Sequence, residues 1–187
     1  MLFDTQNRNL KKMPRISNNN LKENIQMKKK GQLIHILFLL FLALSAIGGG
    51  MALIISPSGK LLGGLPLSIL KSSPFSDFLI PGIILFFVLG IFPILIVWSL
   101  IKKPIIPFME YFNLFKDMHW SWSCSIYVAF ILIVWIQVET YFIQGVSWLQ
   151  MFYMLYSIPM LILALLPQTR NSYALKTIQS HIIKSYL

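Results

Sequence analysis

Reactive side chains are scarce in this sequence. Its 187 residues include one cysteine, three histidines and six acids. Cys124 alone excludes an internal disulfide and leaves no CxxC pair for redox work or zinc. His35, His119 and His181 stand far apart without HxxxH spacing, so no metal site is expected. No GxSxG, Walker A or GxGxxG pattern occurs, which removes the common hydrolase, phosphate-loop and dinucleotide readings, and no cofactor is expected. Charge is equally thin, at 12% of residues, where a globular domain carries about 25%.

What the sequence has instead is apolar length. Hydrophobic residues make up 56% of the chain. A helix needs about 20 apolar residues to cross the roughly 30 Å hydrocarbon core. Four runs meet that requirement: 32–55, 78–101, 123–142 and 147–166. The expected architecture is therefore all-α, an integral membrane four-helix bundle, with residues 32–166 as the membrane domain. The last two runs leave a short connection and predict a helical hairpin turning at Gly145.

The net charge of +10 is unevenly placed. Arg8, Lys11, Lys12, Arg15, Lys22 and Lys28 to Lys30 supply eight of the sixteen basic residues. Residues 1–31 thus read as a basic, disordered tail whose partner is the anionic headgroup layer, at about 1 kcal/mol per basic residue near the surface. Nucleic acid is not expected as a partner. Counting both tails and the second connection, one side of the membrane holds fourteen of the sixteen Lys and Arg, leaving only Lys60 and Lys71 for the other. Basic flanks resist translocation, so both termini are expected in the cytoplasm. Residues 167–187 form a second tail, whose stretch SYALKTIQSHIIKSYL alternates apolar and basic residues like a short surface helix.

Several residues inside the runs need a reason to be there. Gly48 to Gly50 predict close helix packing, with room for a ligand as the alternative. Pro81, Pro93 and Pro159 predict kinks, because each removes a helical hydrogen bond. The five tryptophans read as interface anchors. Glu139 and Asp77 fall at the outer ends of two spans. Carboxylates at membrane depth are costly enough to raise a functional hypothesis. Asp77 also has a structural use, since an acid suits a helix start just after Ser73 and Pro74.

Between the first two spans, residues 56–77 are too apolar for a solvated loop and too short to cross. They predict an external segment lying in the interface, folded over the bundle mouth with its leucines inward. The strings PSGKLLGGLPLSILKSSPFSDFLIPGIILFFVLG and IQVETYFIQGVSWLQMFYMLYS resemble a family of small bacterial four-span membrane proteins sharing PSG…LG.PLS.L..SPF.DFL.PG and VE….G.S.LQ patterns. The resemblance implies a multi-pass protein of the bacterial cell membrane and carries no activity. It singles out Ser68, Ser73, Pro74, Asp77, Glu139, Ser147 and Gln150 near the outer face, all but Pro74 as ligand-binding candidates.

Three functions follow as expectations. The leading one is a non-catalytic protein holding a lipid or small apolar molecule beneath the cap. The second is a membrane-embedded enzyme acting on a lipid or isoprenoid, with Asp77 and Glu139 as acid and base. The third is an accessory subunit assembling with another membrane protein.

Overall fold

In the computed structural model, residues 18–175 are described. Helix α1 spans Asn18–Ile55, and two 3₁₀ turns, Lys60–Leu62 and Leu67–Ser72, follow it. The second span is composite: α2, Leu79–Ile84, runs into a π-helical stretch at Leu85–Ile91 and then α3, Phe92–Lys102. A short α4, Pro107–Tyr111, precedes α5, Trp120–Ile143. Helices α6, Trp148–Leu165, and α7, Pro167–Arg170, complete the described chain. Four segments are long and apolar enough to cross a membrane: Ile25–Ile55, Leu79–Lys102, Trp120–Ile143 and Trp148–Leu165. They form an antiparallel bundle in which each span packs on its chain neighbour and the fourth returns to the first.

The first helix starts earlier than its apolar run. Residues 18–31, assigned to a disordered tail from their charge, continue α1 toward the chain start. At 1.5 Å per residue its 38 residues exceed the hydrocarbon core, so the basic turn at Lys28 to Lys30 extends the span beyond its apolar length. The rest of the expected tail, and residues 176–187 with most of the expected surface helix, lie outside the described residues.

Spans one and two touch through their backbones. A Cβ on Gly50 would lie 2.8 Å from the Phe86 backbone nitrogen, and one on Gly82 would lie 2.7 Å from the Leu53 Cβ. Gly90 is equally close to Ile47. Gly48, by contrast, faces open space, and a Cβ on Gly49 would make only ordinary contact with Leu85. Of the three consecutive glycines, one is therefore required by packing.

The prolines are accommodated rather than simply bent around. Pro81 lies in the first turn of α2, where a missing N–H costs no helical bond. Pro93 is the second residue after the π-helical stretch, which shifts the bonding pattern ahead of it. Pro159 alone is interior to a regular helix. The turn between the third and fourth spans begins at Gln144, in the left-handed conformation at φ 54°, one residue before the expected Gly145. Its N–H closes onto the Thr140 carbonyl, and the helix ends at Ile143, two residues before the glycine.

The end of the bundle that carries α7 is closed by polar chemistry. His119 caps α5, its Nδ1 accepting from the Ser121 N–H at 3.3 Å, while its own N–H donates to the Tyr173 carbonyl. Lys103 donates through Nζ to the Ser172 carbonyl at 2.8 Å and stands over the Tyr173 ring. Asn113 donates to Met118 O and to Glu110 Oε2 and accepts from Ser123 Oγ, tying the second connection to α5. Trp120 and Trp122 are buried here rather than anchored in headgroups, and donate to the Pro104 and Ala164 carbonyls. Helix ends leave such carbonyls without helical partners, and indole N–H groups satisfy them.

Burial lowers the His119 pKa below its ordinary value, with the Glu110 charge opposing the shift. A histidine held neutral in the fold supports stability above its unfolded pKa, near 6.5, and loses that support as pH falls toward the folded value. The thermal midpoint in detergent should therefore drop between pH 7.5 and 5.5. In His119→Asn, which keeps a capping side chain, the drop should be smaller; an unchanged drop would assign the acid sensitivity elsewhere.

Candidate functional site

The opposite end of the bundle holds a cavity of about 390 Å³. Its floor and walls come from all four spans and its cover from the segment between spans one and two. That cover is a built structure. Gly59, Gly63 and Gly64 take left-handed conformations that let the chain double back. The Phe78 N–H donates to the Pro57 carbonyl, and the Leu65 N–H to Gly59, closing the segment on itself. Leu70 and Phe78 are buried against Leu53, with Leu65 packed alongside, in a small core separate from that of the bundle.

The expected inward set of leucines is only partly realised. Leu62 and Leu65 line the cavity with Leu70, whereas Leu61 and Leu67 face outward. Two short 3₁₀ turns broken by Gly63 and Gly64 cannot present a continuous apolar stripe. Accordingly, a cysteine at Leu61, 59% exposed, should react with a membrane-impermeant maleimide about tenfold faster than one at Leu70, 7% exposed. Equal rates would mean that the cap is not packed. Native Cys124 is buried and should stay silent.

The sequence-derived candidates separate in space. Ser73, Pro74, Glu139, Ser147 and Gln150 all line the cavity. Ser68 lies exposed on the cap, outside the wall. Asp77 is also outside the wall; its Oδ1 accepts from the Leu79 N–H at 3.0 Å, at the start of α2. Helix α2 begins at Leu79 and not at Pro74, because residues between them are held in bends by the Phe78 to Pro57 bond. The cavity thus receives one carboxylate and not the expected pair.

Most polar groups in the wall are already engaged. Ser45 Oγ donates to the Leu42 carbonyl and Ser73 Oγ to the Leu70 carbonyl. Ser147 and Gln150 form a capping box at the start of α6: the Ser147 N–H donates to Gln150 Oε1 at 2.9 Å, and the Gln150 N–H to Ser147 Oγ at 3.5 Å. Glu139 is different. Its polar neighbours are the Trp135 indole, one turn earlier on α5, and the Gln150 side chain. The indole offers only an N–H, and Gln150, its oxygen occupied, offers its NH₂. Both neighbours present donors, and neither carries a charge. Lys60 and Lys71 are exposed and outside the wall, and the described ion pair, Arg170 with Asp117, lies at the other end.

Trp135, Tyr153 and Phe78 also line the cavity. The spacing of Trp135 four residues before Glu139 was available as a signal, since such residues share a helix face. Among the described residues no group of three or more His, Cys, Asp or Glu side chains converges as metal ligands would. Compared with protein-family profiles, curated proteins and solved structures, the chain finds no match in any of the three.

Proposed function

We propose that this chain is a non-catalytic protein of the bacterial cell membrane, with both termini cytoplasmic, that holds a lipid or small apolar molecule under its external cap. The observation that carries this reading is the covered cavity of about 390 Å³ with walls built almost wholly of apolar side chains. That size falls within the range of small-molecule pockets, which combine apolar walls with a few placed polar groups. The basic turn at Lys28 to Lys30 then lies at the inner headgroup layer, where anionic lipid favours it. An acid–base pair is not required by this reading, and Asp77, engaged at its own helix start, leaves Glu139 without a carboxylate partner in the wall.

The test is retention. Protein extracted in mild detergent should carry a lipid or apolar molecule detectable by native mass spectrometry at near one per chain. Gly49→Leu would place a side chain in the cavity, where a Cβ meets only Leu85 at 3.5 Å, and should release it. Equal retention in both proteins would reject the cavity as the binding site.

A further inference from the structure

We infer that the cavity selects amphiphiles whose polar end is a single ammonium group, with Glu139 as the residue that recognises it. The inference rests on the reading of the cavity as a binding site and concerns which ligand chemistry it takes. Three observations carry it.

The first is the hydrogen-bond inventory of the wall. Ser45, Ser73 and Ser147 are committed to partners within the protein, and Gln150 spends its oxygen on the Ser147 N–H. Among the described residues, Glu139 is the only charged one lining the cavity. A ligand therefore meets one anionic acceptor, a few neutral hydroxyl, amide and indole groups, and otherwise apolar carbon.

The second is the missing counter-charge. Among the described residues, no Lys or Arg lines the cavity. A carboxylate removed from water is costly unless it takes up a proton or a cation joins it, and a bound cation is what favours the charged form. A ligand carboxylate or phosphate would add repulsion at the same place, which argues against fatty acids and phospholipid headgroups entering head first. A neutral apolar ligand would leave the charge unpaired.

The third is the aromatic content of the surrounding wall. Phe75, Phe78, Trp135, Phe142 and Tyr153 all line the cavity with Glu139. Aromatic faces attract cations, most strongly where water is excluded. Carboxylate and ring faces together suit an ammonium, especially one whose N-alkyl groups can lie against the rings.

The experiment uses the full chain in a nonionic detergent, with the neutral dye N-phenyl-1-naphthylamine as a reporter of cavity occupancy. Three competitors of equal chain length are compared for dye displacement: decyltrimethylammonium, decanol and decanoate. The ammonium compound should displace the dye at about tenfold lower concentration than decanol, the equivalent of one charge-assisted contact, and decanoate should be the weakest. Glu139→Gln should bring the ammonium and decanol values together, while Glu139→Asp, which keeps the charge, should restore part of the preference. Equal displacement by all three compounds in the unmodified protein would overturn the inference while leaving the cavity reading standing. A preference unchanged in Glu139→Gln would overturn it too. Dye that fails to bind the unmodified protein, or binds equally to Gly49→Leu, would remove the cavity reading and this inference with it. The comparison within the unmodified protein decides the matter even if a variant at Glu139 does not fold.

Discussion

Replacing Gly82 with leucine should abolish the folded bundle, and Gly50→Leu should do the same. A Cβ at Gly82 would sit 2.7 Å from the Leu53 Cβ and 3.2 Å from the Gly50 carbonyl oxygen, and one at Gly50 would meet three backbone atoms of span two within 2.9 Å. Carbon atoms pack best at about 3.5–4.0 Å. The colliding atoms are largely backbone, so no rotamer change relieves the overlap. The two helices would have to separate. Between apolar solvent and apolar side chains there is little hydrophobic force to hold separated helices together, since their association rests on close packing. Overpacking costs about 1–3 kcal/mol even where a soluble core can adjust, and here two spans and the cap must move. Thermal unfolding in detergent, followed by circular dichroism, should show no cooperative transition for either variant. Gly48→Ala is the internal control: with nothing within 4 Å of its Cβ, it should leave the midpoint unchanged or raise it. A normal transition in Gly82→Leu would mean that spans one and two are not in contact.

Trp122→Ala should be the most damaging single truncation at the other end. The indole is 1% exposed, donates to the Ala164 carbonyl at 2.9 Å and meets the Phe115 ring edge-on at 5.3 Å. It joins the third span to the last turn of the fourth and to the second connection. Truncating a buried tryptophan costs about 3–5 kcal/mol. That is a large share of the 5–15 kcal/mol that ordinarily separates folded from unfolded protein. Trp122→Phe divides the loss, since it keeps most of the ring volume and removes the donor. Leaving the Ala164 carbonyl unpaired should cost about 1–3 kcal/mol. If Phe and Ala variants melt together, the hydrogen bond dominates; if Trp122→Ala melts like the unmodified protein, the indole is not part of the core.

The four spans were legible because each depends on a local property, a run of about twenty apolar residues, and the structure shifts their ends by only a few residues except at the start of the first, which begins at Ile25 and not at residue 32. A structural use for Asp77 was legible for the same reason, since its acceptor and the Leu79 N–H are two residues apart, but the helix begins at Leu79, after Phe78, and not at Pro74 as expected. Tertiary contacts were not. Trp120 and Trp122 look like interface anchors in sequence and prove buried, because their partners, Pro104 and Ala164, are supplied by other parts of the chain. Glu139 was identifiable as an anomaly in an apolar run, but its relation to Trp135, Gln150 and the cap required the fourth span and the loop to be placed around it. Charge led the reading of residues 18–31 toward disorder, although a helix already propagating from an apolar run extends cheaply through lysines, which are good helix formers.

The π-helical stretch at Leu85–Ile91 has a consequence for how this chain tolerates change in length. In most of a packed helix, deleting one residue rotates everything beyond it by about 100°, and side chains that faced the bundle turn away. A π turn bonds i to i+5 and so already holds one residue more than an α turn. Removing one exposed residue there, Phe87 or Val88, lets the stretch relax to ordinary α-helix while both flanks keep their facing. Gly82 would still meet Gly50 on one side, and Ile96 and Leu100 would still point into the core on the other. The same deletion in the middle of α5, which has no surplus to give up, would swing either Glu139 or Trp122 out of register. The second span is thus a place where the length of this protein can vary by one residue without rewriting its interfaces.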